Sequence, residues 1–340
     1  MKTLLEIYNE ISENHKKYMY YNNLSIDISL KNVWENAEKA NSFIHGYFDV
    51  GGKVVFNVEK IKYFGFENKR DIHTVSVFIL GIAIAEKIGY SITREELFIW
   101  FLMCLYHDMG YAIENDASLI SKAANLERFI ELVNVKGDNN IFNLYRGKTL
   151  CKNYYKYVRD KFNHIDHGIA GGIILYSKLV ENYFHVKNTY KYDNEDFIHN
   201  GLLFSKKLFD EYKEAAIGII RHNMWFAHND EEKKQYEKYH LESLIISKDN
   251  LISVKENKLL FLLCLADTLE PLKHFYNVKS KCVLNGILMK VNKSEILIKI
   301  NENCLECYNY IKKINSLKNW LDVNIEKNTY KTDEVVIYVN

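Results

Sequence analysis

From about residue 70 the chain takes on a helical rhythm. His73, Val77, Leu80, Ile84 and Ile88 recur at three- and four-residue spacing and mark one apolar face, which Gly89 ends. Thr93 followed by Glu96 has the form of a capping box and predicts the start of the next helix. That helix reads LFIWFLMCLYHDMG over 97–110, almost wholly apolar until it runs into His107 and Asp108. Similar patterns predict helices over 168–183, over 211–222 ending at His222, and over 257–270, where Pro271 closes the run. The segments 1–20, 31–46 and 119–133 are also expected to be helical. Residues 47–66, with Gly51 and Gly52, suggest short extended segments about a turn, and 137–152 suggests a loop. The whole of 111–163 reads as an elaboration inserted between core helices. Beyond about 276 the period changes. A hairpin over 283–291 and 295–300, a helix over 305–321 and a strand over 335–339 are expected. The fold class that results is mainly α: a helical domain over 1–275, with its core at about 70–275, and a small α+β appendage over 276–340.

Composition adjusts this picture little. The 340 residues are 48% hydrophobic and 26% charged, enough for a substantial core. A formal net charge of +1 gives no field that favours nucleic acid or an anionic membrane. The first helix carries Glu6, Glu10 and Glu13 among its apolar positions, which suits an amphipathic helix and not a signal peptide. The apolar run before His107 falls short of the roughly 20 residues a bilayer requires. Of six cysteines only Cys304 and Cys307 are close, a lone CxxC in a helical pattern, so neither a zinc site nor a disulfide framework is expected. A cytoplasmic protein is the expectation. Gly171 and Gly172 stand inside a helix at a cost of about 1 kcal/mol each relative to Ala, a cost tolerated where backbone packs closely or approaches a ligand.

The candidate chemistry lies at the margins of the apolar helices. His73, the adjacent pair His107 and Asp108, His167, His222 and Asp267 all sit there, and such residues can converge across a bundle. Imidazole and carboxylate together suit Fe, Mn, Ni, Zn or Mg. Burying them without compensation costs several kcal/mol, and a bound cation is the usual compensation. His107 and Asp108 are neighbours, about 100° apart on a helix, so one metal can take both.

The order His73, His107–Asp108, Asp267 resembles the H…HD…D pattern of the HD-domain superfamily of metal-dependent phosphohydrolases. With His167 and His222 added, it resembles the superfamily's dinuclear branch, H…HD…H…H…D. The local segments IHTVSVFILGIAIAEKIG, LYHDMG, DHGIAGGIILY, IIRH and LADTLEP look like the family's ligand-bearing segments, over roughly residues 70–275. The match has departures. The spacing between Asp108 and His167 is long, His164 rivals His167 as third ligand, and His228 rivals His222. Tyr111 follows HDMG where the cyclic-dinucleotide-cleaving branch has Lys, which argues against that branch. ADTLEPLK over 266–273 resembles the ending of diadenosine tetraphosphate hydrolases of the superfamily, with Lys273 in place of Arg.

The resemblance implies one or two divalent metal ions held by His73, His107, Asp108, His167, His222 and Asp267. It implies a water-attacking phosphohydrolase for a small, nucleotide-like phosphoester or phosphoanhydride. Asp108 would ligate or bridge, His164 or Asp166 would carry protons, and Arg221 and Lys273 would hold phosphate oxygens. Trp225 and Tyr111 are candidates for stacking on a base. Two other classes remain open. One is a nucleotide-sensing protein with little turnover, whose tail binds a partner or forms a homo-oligomer. The other is a di-iron oxygenase, which oxygen consumption would reveal.

Overall fold

A computed structural model describes residues 1–14, 17, 30–35, 38–40, 42–44, 68–133, 141, 147–199, 202–247, 250–275, 278–301, 305–327 and 334–340. The extended segments expected over 47–66, and Cys304 of the CxxC pair, lie outside the described residues.

The described chain is mainly helical, with a small antiparallel sheet formed largely by its C-terminal part. Strand β1 (Lys2–Thr3) leads into α1 (Leu4–Glu13), which Thr3 and Glu6 cap reciprocally. Helix α2 (Asn68–Ile88) and α3 (Leu97–Tyr106) pack together. All ten residues of α3 are buried, as an apolar helix without a polar face requires. The Thr93–Glu96 capping box is present, with Thr93 N–H donating to Glu96 Oε2 at 2.8 Å. Short helices α4 (Tyr111–Glu114), α5 (Ala117–Lys122) and α6 (Leu126–Leu132) follow.

Helix α7 (Lys148–Phe162) begins inside the stretch expected to be a loop. Its buried Cys151, Tyr154, Tyr155 and Val158 recur at helical spacing, and tyrosines at those positions make a weak apolar signal in the sequence. Helices α8 (His167–Thr189) and α9 (Lys206–His222) lie against each other, flanking a hairpin of β2 (Phe197–His199) and β3 (Leu202–Phe204). Gly172 permits this approach, since a Cβ there would stand 2.5 Å from the Ala216 carbonyl oxygen of α9. Helix α10 (Asp230–Lys238) and a second largely apolar post, α11 (Lys258–Leu269), complete this part.

The C-terminal part contains α12 (Ser280–Gly286), β4 (Ile287–Val291), β5 (Glu295–Ile300), α13 (Leu305–Ser316), β6 (Val323–Lys327) and β7 (Glu334–Val339). The expected hairpin is β4–β5, with Met289 opposite Ile298, and residues before Ile287 are helical. Strand β6 (VNIEK) has only Val323 and Ile325 as apolar positions, so its alternation is a weak signal in the sequence. The sheet order is β1-β4-β5-β7-β6, all antiparallel, so the first residues of the chain pair with the C-terminal sheet. Tyr310 O–H donates to the Leu269 carbonyl at 2.7 Å, and Ile252 bridges Leu321, so α13 and the segment just before β6 are tied directly to the helical part. Among the described residues no helix is long and apolar enough to cross a membrane.

Candidate metal centre

Four helices and one helix start deliver the side chains. His73 lies near the beginning of α2, His107 caps the end of α3 with Asp108 next to it, and His167 opens α8. His222 closes α9, and Asp267 lies near the end of α11. His73, His107 and Asp267 each offer one ligand atom, and these atoms lie within 4.8 Å of one another. His107, Asp108 and His222 form a second such set. The two sets share His107. His167 stands beside them, its ring 5.4 Å from that of His222.

Each imidazole has its Nδ1 held by an oxygen acceptor. His107 Nδ1 meets the Cys104 carbonyl at 2.8 Å, and His222 Nδ1 meets the Ile219 carbonyl at 2.5 Å. Both are contacts to a carbonyl three residues back on the helix carrying the ring. His73 Nδ1 meets Glu270 Oε2 at 2.7 Å, and His167 Nδ1 meets Glu114 Oε1 at 3.2 Å. In a neutral ring an Nδ1–H donated to oxygen leaves the lone pair on Nε2, the orientation that metal-ligating histidines adopt, and His73 also hydrogen-bonds a carboxylate, Asp267, through Nε2. His73 Nε2 lies 3.0 Å from Asp267 and 3.7 Å from Asp108, while His107 Nε2 lies 3.3 Å from Asp108 and 3.4 Å from Asp267. Despite that proximity, His107 Nε2 is buried without a hydrogen bond. A buried, unpaired ring nitrogen facing two carboxylates fits a divalent cation, and the nitrogen-and-oxygen donor set fits first-row transition metals.

The electrostatics agree with a site that keeps its carboxylates ionised. Burial would raise Asp108, but His107 and His73 outweigh it and hold the carboxyl below its ordinary range. Asp267 is held low in the same way by Lys273, His107 and His73. Burial, His107 and His167 press His222 down to about 3, so its ring is neutral. Burial and Lys273 oppose the charge on His73, yet its hydrogen bonds to Asp267 and Glu270 carry it up to about 9.

The expected residues are placed unevenly. His167 joins the cluster and His164 does not: His164 is half-buried and stacks on Phe162, ahead of the helix start. Asp166 is the N-cap of α8. It accepts from Ile169 N–H at 2.8 Å and from Asn223 Nδ2 at 2.7 Å, so both oxygens are engaged in positioning. His222, and not the exposed His228, faces His107. Lys273 pairs with Asp267 at the margin of the cluster. Arg221 does not meet it. Its guanidinium donates to Asn257 at 3.3 Å and lines a separate cavity of about 470 Å³ with Glu96, Glu214 and Lys258. Tyr111 lies flat on His167, with ring centroids 3.8 Å apart.

Two carboxylates were not among the expected residues. Glu270 stands in the LADTLEP segment. It is fully buried and accepts from Leu272 N–H as well as from His73. Glu114 lies six residues beyond Asp108, with no pattern to mark it. Gly110 lets the loop after Asp108 touch the start of α8, because a Cβ there would be 2.0 Å from the His167 carbonyl oxygen.

No family model, curated protein or solved structure matches the chain.

Proposed function

We propose that the protein is a metal-dependent phosphohydrolase of the HD-domain type, acting on a small nucleotide-like phosphoester or phosphoanhydride. The observation that carries this reading is the orientation of the imidazoles. His73, His107, His167 and His222 each commit Nδ1 to an oxygen acceptor, and the two aspartates stand against the Nε2 atoms of His73 and His107. His73, His107, Asp108, His222 and Asp267 would hold one or two divalent ions, with His167 completing the second position. Bound ions supply Lewis acidity, which brings the pKa of a water from 15.7 to about 7 and offsets charge on phosphate oxygens.

The chain's own residues do the rest. Glu270 and Glu114 fix the tautomers of His73 and His167, and the carbonyls of Cys104 and Ile219 fix those of His107 and His222. Asp166 holds the start of α8 in register, and Asn223 ties it to the end of α9. Lys273, whose ammonium charge Asp267 and Asp108 sustain against burial, is placed to bind a phosphate oxygen at the margin. The apolar posts α3 and α11 keep bulk water from the inner side.

The test is metal analysis of the purified protein, followed by phosphate release from a panel of nucleotides. The expected result is at least one equivalent of a transition metal and metal-dependent release. In a folded His107→Ala/Asp108→Ala variant both should vanish, with activity down by about 10³ or more. Undiminished hydrolysis by that variant, free of metal, overturns the reading.

A further inference from the structure

The C-terminal part holds a cleft that the metal centre does not account for. Trp225 and Phe226, just beyond α9, form one wall. Lys312, Lys313 and Ser316 of α13, with Trp320, form the other, around a cavity of about 380 Å³. That volume suits a small molecule, not a polypeptide. The indoles of Trp225 and Trp320 lie against each other, with centroids 4.4 Å apart and planes 34° apart. Lys313 Nζ stands 4.1 Å from the centroid of the Trp225 ring.

Among the described residues, one group in this cleft lacks a counter-charge and another lacks an acceptor. Lys313 is only partly exposed, yet among the described residues no carboxylate lies within ion-pair distance of its ammonium. Trp320 is buried, and its indole N–H has no hydrogen-bond acceptor. A half-buried cation that has an aromatic face but no counter-charge, and a buried donor without an acceptor, favour an anionic ligand that brings acceptors. The paired indoles favour a planar aromatic group.

The cleft also connects to the cluster. Trp225 Nε1 donates to Asn223 Oδ1 at 2.9 Å, and Asn223 Nδ2 donates to Asp166, the cap that presents His167. Lys313 lies within electrostatic reach of Lys273 and Asp267.

We propose that this cleft is the recognition half of the reaction centre, binding the planar aromatic base of a phosphorylated substrate against the Trp225–Trp320 pair, with Lys313 and Lys312 on its anionic side. The proposal rests on the phosphohydrolase reading and narrows its substrate to aromatic phosphates. The C-terminal part then has a job: it supplies specificity to a centre built by the helices.

Calorimetric titration of the full chain tests this. The probes are the four common nucleoside 5′-monophosphates, ribose 5-phosphate and inorganic phosphate. At least one nucleotide should bind ten times more tightly than ribose 5-phosphate. Trp225→Ala and Lys313→Ala should each weaken nucleotide binding fivefold or more. Lys313→Ala, on a partly exposed helix face, guards against misfolding of the tryptophan variant. Equal affinity for ribose 5-phosphate and nucleotides, or unaltered nucleotide affinity in folded Lys313→Ala, overturns the proposal. Phosphate release is read separately. Nucleotide binding that depends on Lys313, with no metal-dependent release from any nucleotide, sinks the phosphohydrolase reading and upholds the cleft. Release whose KM ignores both substitutions sinks the cleft and upholds the phosphohydrolase.

Discussion

Asp108 and Glu211 are both buried carboxylates at the helical core, and they behave in opposite ways. Asp108 sits among His107, His73 and His167, which together outweigh desolvation and hold it below the ordinary carboxylate range. Glu211, on α9 three turns before His222, has an oxygen with no hydrogen-bond partner. Burial pushes it up to about 7, Lys207 counters only in part, and Glu214 adds to the rise. Burial is common to both sites, so it does not by itself decide whether a carboxylate is held ionised or pushed toward its neutral form. The surroundings do: Asp108 is ringed by groups that favour its anion, while Glu211 is simply desolvated.

The comparison can be broken most severely by moving the surroundings. Gly110→Ala would drive a methyl into the His167 carbonyl and displace the start of α8 from Asp108. A loss of about 3 kcal/mol in unfolding free energy is expected, together with reduced metal stoichiometry, both measurable by urea titration and metal analysis. Gly286→Ala is the control, since a Cβ there meets nothing within 4 Å. A smaller change sharpens the comparison. Glu270→Gln keeps the shape of the side chain that holds His73 but removes its charge. Metal affinity should fall by about 10- to 100-fold in competition with a chromogenic chelator, while the fold survives.

The smallest effect concerns Glu211 itself. Its folded value, about 7, is above its ordinary 4.5. Between these values the folded chain binds a proton that the unfolded chain does not, so stability falls as pH rises across that window and then levels off. Glu211→Gln should therefore stabilise the protein at pH 8, by on the order of 1–2 kcal/mol after allowance for solvent screening, and hardly at all at pH 4. Denaturant midpoints at the two pH values check this. Equal gains at both would show that the charge is not what matters.

Much of the candidate centre was legible in the chain. The helical core elements α2, α3, α8, α9 and α11 follow from periodicity, and their polar ends named His73, His107, Asp108, His167, His222 and Asp267. One further signal was available: Asp166 as N-cap starts α8 at His167 and leaves His164 outside the helix. Helix α7 was hidden because its buried face is largely tyrosine, and β6 because only Val323 and Ile325 in it are apolar.

The sequence by itself determined which residues end apolar helices, because burial of a helix is written in its local spacing. The tertiary structure alone decided which of those ends meet. Arg221 and His222 are adjacent in the chain, yet one lines a charged cavity and the other faces His107, since neighbours on a helix point about 100° apart. Glu270 finds His73 across 197 positions, and Trp225 meets Trp320 from the far side of the chain. Such meetings depend on how separate helices are rotated against one another. That rotation is set by the packing of the whole core, and no single segment carries it.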